Sequence, residues 1–417
     1  MTELNRSVES ASAASPGPAV SFAFNLGKIP DHGEDADPIL RDGPDLALLG
    51  VFDGMGGAGG TVYETADGPR SGAYLASRIA RDVVEDRMLD LLVPDWNLNG
   101  QAAAEDLRRS MREALALRLA ELKAPPSRLR SKLLRALPTT MAVLGLQRAA
   151  RDGSTWLGHV FWAGDSRAYV FEPDGARQLT VDDLRDDNDA LANLQRDSVV
   201  SNAISADTDF HVNYRRVELQ APFFLLCATD GCFGYLPTPM HFERLVLDAL
   251  AEASSVDAWS RAVQGAVTAV TGDDAAMAVV SVGADLDDLK RLYAPRATEL
   301  EQQYTTPIDE LSRSVTQAEN ELTRQRQRQV QETRQLWARY QPGYELYLRT
   351  QTSTDDDSED AEDTADAEDE RSTPTSGDSG EVATGPAPAP DVTTTPDTAD
   401  TAGTSDSAAD VPRGVTA

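Results

Sequence analysis

The chain has 417 residues, of which 41% are hydrophobic, so it is long enough to form one large folded domain with additional segments. Its formal net charge of −31 at pH 7 argues against nucleic acid as the main ligand, because phosphate backbones are bound through clustered lysine and arginine. The two cysteines and four histidines show no paired spacing, which excludes a disulfide framework and a zinc site of the usual kind.

The hydrophobic pattern predicts strands and helices in separate blocks. Strand-like runs lie near residues 20–26, 46–52, 139–147, 156–162, 167–172, 215–219, 223–229 and 277–283. Helical patterns lie near residues 73–92, 101–123, 241–252 and 257–270. Many antiparallel strands with helices gathered in a few blocks predict an α+β architecture, in which stacked sheets are covered by helices on both outer faces.

Composition divides the rest of the chain. Residues 1–19 are expected to be a flexible leader, since they are rich in Ser and Ala and lack the apolar core of a signal peptide. Residues 20–290 are expected to form the folded domain, and residues 296–349 a long helix with an aromatic segment. Thr306-Pro307 is a typical helix start, and Pro342-Gly343 a typical end.

The last segment, residues 350–417, is expected to be a disordered acidic tail. From residue 351 onwards it carries 18 Asp and Glu against two Arg and contains no aromatic residue. No apolar run in the chain approaches the ~20 residues that span a bilayer. We therefore expect a cytoplasmic protein without membrane insertion.

The most informative motif is VFDGMGG, at the end of the predicted strand 46–52. It delivers the carboxylate of Asp53 into a turn made almost wholly of glycine, where an ion or a phosphate can approach the main chain. Because Gly54 and Gly56 begin a G-x-G-x-x-G pattern, a dinucleotide site is an alternative. That site would need a second strand and an acidic residue about 20 positions on. The polar stretch from Thr61 to Gly72 offers no such strand.

Three further strand ends carry aspartates. Asp230 follows an apolar run, Asp273 and Asp274 precede one, and Asp165 lies in a tight turn between two strands. Taken singly, each aspartate could be a turn or cap residue. As a set they can converge if their strands lie side by side. Carboxylate oxygens are the ligands that Mg²⁺ and Mn²⁺ prefer, so the set predicts a site for such ions.

In their order along the chain, these motifs resemble those of the metal-dependent serine/threonine phosphatases of the protein phosphatase 2C family, especially its bacterial members. The resemblance spans roughly residues 20–284. It rests on GEDA (33–36), VFDGMGG (51–57), TTMAVLGL (139–146), AGDSRAYVF (163–171), QLT (178–180), SNAIS (201–205), CATDG (227–231) and GDDAAMAVV (272–280). It implies an α-β-β-α sandwich of two antiparallel sheets flanked by helices, with residues 20–290 as the catalytic domain.

The resemblance also implies roles for single residues. Asp53 would bridge two Mg²⁺ or Mn²⁺ ions, the Gly54 carbonyl would bind one, and Asp230 and Asp273 would complete the protein ligands. Glu34 and Asp35 would orient metal-bound waters, with Asp274 as a helper beside the last ligand. In this chemistry a water that bridges the two ions loses a proton, and the resulting hydroxide attacks the phosphorus of a phosphomonoester.

The chain departs from the family pattern at several positions. Pro30 stands where many members have a phosphate-binding arginine, and Lys28 is the nearest substitute. Gly234 replaces an aspartate that helps the residue matching Asp165 to hold a third cation, so two ions are implied and the third is left open. Near SNAIS, Asn202 stands where relatives often have arginine.

Two functions follow from this pattern. The first is a phosphoserine and phosphothreonine protein phosphatase that opposes a Ser/Thr kinase and acts on phosphorylated proteins. The second is a catalytically weak member of the family that binds a kinase or phosphoprotein as a regulatory or scaffold protein. The retained carboxylate set favours the first, because a purely structural domain has no need to crowd carboxylates together.

Overall fold

The computed structural model describes residues 17–29, 32–92, 98–122, 134–149, 154–185, 189–195 and 199–350. The leader up to residue 16, Pro30 and the acidic tail from residue 351 lie outside these ranges. Described residues up to Glu332 form one compact unit, and those from Thr333 onwards form a second.

In the described residues, each strand and helix predicted between residues 20 and 290 is present with its ends within two residues of the prediction. The strands are β1 (Pro18–Leu26), β2 (Ile39–Gly43), β3 (Leu46–Val51), β4 (Val62–Thr65), β5 (Gly68–Ser71), β6 (Met141–Arg148), β7 (Thr155–Ala163), β8 (Arg167–Glu172), β9 (Gly175–Gln178), β10 (Asn213–Gln220), β11 (Phe223–Ala228) and β12 (Ala275–Val282). The helices are α1 (Gly56–Gly59), α2 (Gly72–Leu91), α3 (Gly100–Glu121), α4 (Ala190–Gln195), α5 (Pro239–Glu252), α6 (Val256–Val270), α7 (Leu286–Glu299), α8 (Thr306–Tyr344) and α9 (Leu346–Thr350).

Ten of the strands form two antiparallel sheets that face each other, and β4 and β5 form a separate pair. One sheet has the strand order β1-β12-β11-β8-β9 and the other β10-β7-β6-β3-β2. Apolar side chains of α5, α6 and α7 pack on the outer face of the first sheet, and those of α2 and α3 pack on the second. The predicted α-β-β-α sandwich is therefore confirmed.

Strand β11 shows why the central strands are apolar at every position. Successive side chains point to opposite faces of a sheet. Phe223, Leu225 and Cys227 thus pack between the two sheets, whereas Phe224 and Leu226 pack under the helices. Both faces are buried, so no polar position interrupts the strand.

Two expectations for the local structure were wrong. The stretch from Thr61 to Gly72 contains a second strand after all, because β4 and β5 form an antiparallel hairpin. The turn is closed by a hydrogen bond from Thr65 Oγ1 to the Gly68 carbonyl, at 2.6 Å, and Gly68 has a φ of +97°. A turn of this kind has no apolar periodicity and is therefore missed by a pattern search.

The helical run before α8 also differs from expectation. α7 was not predicted, since Pro295 lies inside it. A π-helical turn, Leu300–Thr305, connects α7 to α8, and Thr306 itself has helical dihedral angles. Thr306 is therefore the first residue of α8 without being a helix cap, and α8 continues through Pro342 to Tyr344. None of the helices in the described residues combines the length and apolar character needed to cross a bilayer.

The buried imidazole of His159 in β7 gives the fold a predictable pH dependence. Nδ1 lies 3.0 Å from the Tyr214 hydroxyl, and Nε2 has no hydrogen-bond partner among the described residues. Burial, with a smaller contribution from the charge of Arg216, lowers the pKa of His159 from 6.5 to about 4. Between these values the unfolded chain takes up a proton that the folded chain does not, so stability should fall as the pH decreases below 6.5.

We expect this single group to remove on the order of 2 kcal/mol of unfolding free energy between pH 7 and pH 4. Urea unfolding of the wild type and of His159→Gln, repeated across this range, measures the effect. The free energy of unfolding of His159→Gln should rise relative to that of the wild type as the pH falls. His211→Gln, which changes an exposed ring, serves as the control, and a constant difference between wild type and His159→Gln would contradict the prediction.

Candidate functional site

One edge of the sandwich collects the strand ends that carry the predicted site residues. β3 and β11 end there, β12 begins there, and the turn between β7 and β8 lies at the same edge. The resulting cleft has a volume of about 700 Å³. It is lined by Lys28, Ile29, His32, Glu34, Asp53, Gly54, Met55, Gly56, Gly57, Ala58, Asp165, Val199, Val200, Asp230, Asp273 and Asp274. Of the residues predicted for the site, Asp35 alone is set behind the cleft, where it is buried.

The main chain of Asp53 is fixed by the start of β6. Its carbonyl accepts hydrogen bonds from Thr139 Oγ1 at 2.6 Å and from the Thr140 N–H at 2.9 Å. The side-chain carboxyl group of Asp53 faces that of Asp35, and each affects the pKa of the other. Asp53 is thus held from the second sheet, while Asp230 is held from the first.

The carboxylates of the site are crowded, and their pKa values show it. Burial, followed by the charges of Asp230 and Asp35, raises the pKa of Asp53 well above its usual range. Burial is also the main cause that raises the pKa of Asp35 to about 7, that of Asp165 to about 8 and that of Asp230 to about 6. Negative charge in this cleft is unfavourable, so the cluster favours protons or cations.

Helix α2 holds the loop that carries Glu34. Ser71 Oγ, at the helix N-cap, donates to Glu34 Oε1 at 2.5 Å. Nearly two turns later, Ser77 Oγ donates to the Glu34 carbonyl at 2.5 Å, and Arg78 donates to the same carbonyl and to that of Gly33. Asp35 is fixed separately by Thr229 Oγ1, at 2.9 Å.

Asp274 has a structural role that the motif did not reveal. Its two carboxylate oxygens accept the backbone N–H groups of Lys28 and Glu34, each at 2.6 Å. Both ends of the loop 28–34 are therefore fixed to the start of β12. The contacts span more than 200 residues of sequence, which is why spacing could not predict them.

The glycines of the first motif allow a close approach of chain segments. A Cβ atom on Gly56 would lie 1.9 Å from Glu34 Oε2, and one on Gly54 would lie 2.5 Å from the Glu34 carbonyl oxygen. The G-x-G-x-x-G interpretation is not supported, because β3 pairs antiparallel with both β2 and β6. A dinucleotide fingerprint requires a parallel β-α-β unit instead.

Asp165 projects from a turn in which Gly164 has a φ of +99°. Its Oδ1 atom is buried and has no hydrogen-bond partner among the described residues. An acceptor without a donor in such a place is costly unless a proton or an ion satisfies it. The turn is held by Asp183, whose carboxylate accepts the Gly164 N–H at 3.0 Å.

Two departures from the family pattern have structural explanations. Gly234 donates its N–H to the Asp230 carbonyl at 2.6 Å, and a Cβ atom there would lie 2.9 Å from that carbonyl oxygen. Asn202 bridges Asp183 and the His211 carbonyl through its Nδ2 atom. Asn202 is therefore occupied in holding the wall of the cleft.

The donor set of the cleft suits hard divalent cations. Its carboxylate and carbonyl oxygens are the ligand types of Mg²⁺ and Mn²⁺, and the unsatisfied Oδ1 of Asp165 is a further free donor. Across the described ranges, no three His, Cys, Asp or Glu side chains already surround a common point as a formed metal site. The residues thus fit the ions in chemical type and in the cleft that they share.

No protein-family model and no curated protein sequence matches the chain. Solved structures do match it. The serine/threonine phosphatase PstP/Ppp of Mycobacterium tuberculosis is 17% identical with a TM-score of 0.43, and the match covers 63% of this chain and 98% of that chain. The serine/threonine phosphatase Stp1 of Staphylococcus aureus is 18% identical with a TM-score of 0.43, covering 64% and 96%.

The catalytic domain of PstP in complex with two manganese ions also matches, at 16% identity and a TM-score of 0.42, covering 64% of this chain and 98% of that chain. Similarity at this level says nothing about which reaction the chain catalyses. In the order of its motifs, the chain resembles the metal-dependent serine/threonine phosphatases of type 2C, and the solved structures named above are serine/threonine phosphatases.

Proposed function

We propose that this chain is a metal-dependent phosphatase that hydrolyses phosphoserine and phosphothreonine in proteins, in opposition to a Ser/Thr kinase. The observation that carries the proposal is the convergence of Asp53, Asp165, Asp230 and Asp273 in one cleft from separate strand ends. Three of these carboxylates, Asp53, Asp165 and Asp230, are buried and have raised pKa values, so they are unfavourable to keep together. Such clusters are concentrated at functional sites.

The ions would be held by a subset of these groups. Asp53, the Gly54 carbonyl, Asp230 and Asp273 would bind two Mg²⁺ or Mn²⁺ ions. When bound, such a pair supplies an activated water and neutralises the charge of the phosphate. Asp165 would contribute to a third ion, but Gly234 offers no second carboxylate there, so we propose two.

The chain's own residues position the reaction. Glu34, fixed by Ser71, would accept a hydrogen bond from a metal-bound water in the cleft and hold its orientation. Asp35, fixed by Thr229 behind the cleft, would support that orientation through the carboxyl group of Asp53. Asp274 keeps Glu34 and Lys28 on the same loop in place. The Lys28 side chain is exposed and lines the cleft, so it would contact the substrate phosphate.

We expect Lys28→Ala to raise the KM for a phosphopeptide by about three- to tenfold, with a smaller change in kcat. A lysine provides a point charge without the two-pronged grip of arginine, so its loss should weaken binding more than chemistry. Steady-state kinetics on one phosphoserine peptide measures both constants. Arg261→Ala, which removes an exposed cation of α6, is the control, and an unchanged KM in Lys28→Ala would exclude Lys28 from the site.

The alternative, a catalytically weak regulatory protein, is favoured by Pro30 and by Gly234, since these positions lack the arginine and the aspartate that many relatives have. Phosphate release from phosphoserine, phosphothreonine and phosphotyrosine peptides separates the two functions. With the full chain, Mn²⁺ or Mg²⁺ should support hydrolysis of the first two peptides, and EDTA should abolish it. Binding of phosphopeptides without turnover under any metal condition would contradict the phosphatase and support the alternative.

A further inference from the structure

The mouth of the cleft carries exposed aliphatic side chains. Ile29 is 59% exposed and Val199 is 54% exposed, and both line the cleft whose other walls carry the carboxylates. Single exposed aliphatic residues are ordinary on a protein surface. Two of them at the entrance of one charged cleft, with Met55 beside them in the lining, form an apolar rim, which we define as Ile29, Met55 and Val199.

The segment that carries Val199 is fixed to the protein. The Val199 carbonyl accepts the Arg185 N–H at 3.2 Å, and Val200 forms a β-bridge with Leu184. Arg135 then joins this segment to α1, because its Nη2 donates to the Val200 carbonyl at 3.3 Å and its N–H donates to the Ala58 carbonyl at 3.0 Å. The segment with Val199 and the helix that follows Met55 are thereby held as one wall.

Ile29 is fixed from the other side of the site. Its carbonyl accepts the His32 N–H at 3.1 Å, and the loop is held by the carboxylate of Asp274 through Lys28 and Glu34. The side chain of Ile29 is thus presented at the cleft mouth by a tied loop. An apolar surface that is already positioned loses little entropy when a ligand covers it.

We propose that the apolar rim binds an aliphatic side chain adjacent to the phosphoserine of the substrate, so that the chain selects phosphoproteins with an apolar residue at the dephosphorylation site. The inference rests on the proposed function. The charges at the cleft support it, because Glu34 and Asp274, which are not proposed as ligands of the ions, also line it and repel an acidic neighbour of the phosphoserine. Binding of an aliphatic neighbour is favoured, because it covers the exposed side chains of Ile29 and Val199.

The test uses pairs of fluorescein-labelled phosphoserine peptides that differ by Leu or Asn at one of the two positions before or after the phosphoserine. The two side chains have similar size, so the comparison isolates polarity. In the wild type with Mn²⁺, we expect kcat/KM to be about three- to tenfold higher for the Leu peptide at one or more positions. In Ile29→Thr/Val199→Thr, the ratio of the two peptides should fall towards one.

A ratio of two substrates is independent of how much active enzyme each preparation contains. Val62→Thr and Val315→Thr change equally exposed aliphatic residues outside the cleft, at 49% and 57% exposure, and should retain the wild-type ratio. Equal hydrolysis of Leu and Asn peptides by the wild type would contradict the proposed role of the apolar rim and still support the phosphatase activity. A Leu preference that persists in the double variant would also contradict that role of the rim.

If no peptide is hydrolysed, the proposed function is wrong. The affinity of the apolar rim for the same peptides is then measured by fluorescence anisotropy with Mn²⁺. Tighter binding of the Leu peptide by the wild type, lost in the double variant, would support the rim as a docking surface for apolar phosphopeptides. Equal affinity for both peptides would overturn it.

Discussion

Asp230→Asn should abolish Mn²⁺-dependent phosphatase activity, with a loss greater than the ~10–100-fold typical of residues that only orient a ligand. The substitution keeps the shape of the side chain and removes its charge. The fold should survive, because the turn at this position is held by the Asp230 carbonyl, which accepts the N–H groups of Phe233 and Gly234. These two hydrogen bonds run through the main chain, and an asparagine side chain can still accept a hydrogen bond in place of the carboxylate.

The same variant separates two effects of the Asp230 charge: destabilisation of the fold without metal, and binding of the cation. Burial and the charge of Asp273 raise the pKa of Asp230 to about 6, so the ionised group destabilises the folded chain above that pH when no cation is present. Without metal at pH 8, Asp230→Asn should therefore melt at or above the wild-type temperature. Added Mn²⁺ should raise the melting temperature of the wild type and leave that of the variant almost unchanged. Equal stabilisation of both proteins, or normal turnover in the variant, would refute the assignment.

Arg167→Leu should lower the free energy of unfolding by about 3–5 kcal/mol, because it leaves the carboxylate of Asp182 buried without its partner. Both side chains are 2% exposed. Arg167 donates from Nε to Asp182 Oδ1 at 3.0 Å and from Nη2 to Oδ2 at 2.6 Å. Its guanidinium carbon also lies 4.3 Å from the centre of the Phe233 ring.

Urea unfolding measures this loss. Arg177→Leu breaks an exposed ion pair at the edge of the same sheet and should cost no more than about 1 kcal/mol. The double variant Arg167→Leu/Asp182→Leu should recover part of the loss, since it removes the uncompensated charge together with its partner. If Arg167→Leu lowers the free energy of unfolding no more than Arg177→Leu, the buried ion pair stabilises the fold no more than an exposed one.

The parts of this structure that sequence could predict are those with a local signal. The apolar strands and the amphipathic helices were located from their periodicity, and Asp53 and Asp230 from an Asp-Gly pair directly after an apolar run. β4 and β5 carry no such period, and Pro295 interrupts the pattern of α7 without interrupting the helix. An aspartate directly after an apolar strand can be predicted as a site residue from the sequence. A hairpin or helix that forms against its local pattern, because of its tertiary contacts, cannot.

The supporting contacts of the site are long-range and had no sequence signal. Asp274 reaches Lys28 and Glu34 across most of the domain, and Gly56 is required by the position of the Glu34 side chain. The motif located Asp274 beside the site, but only the packing of β12 against β1 shows which groups it holds. The apolar rim could not be predicted, since Val199 lies outside the SNAIS motif that begins at Ser201, and a single exposed aliphatic residue gives no signal.

The central claim is that the carboxylates of this cleft hold two divalent cations. Anomalous diffraction from a crystal grown with Mn²⁺ tests it most directly. We expect two manganese peaks in the cleft, with Asp53, the Gly54 carbonyl, Asp230 and Asp273 as the protein ligands. An empty cleft at saturating Mn²⁺, or manganese bound elsewhere with Asp53 uncoordinated, would contradict it.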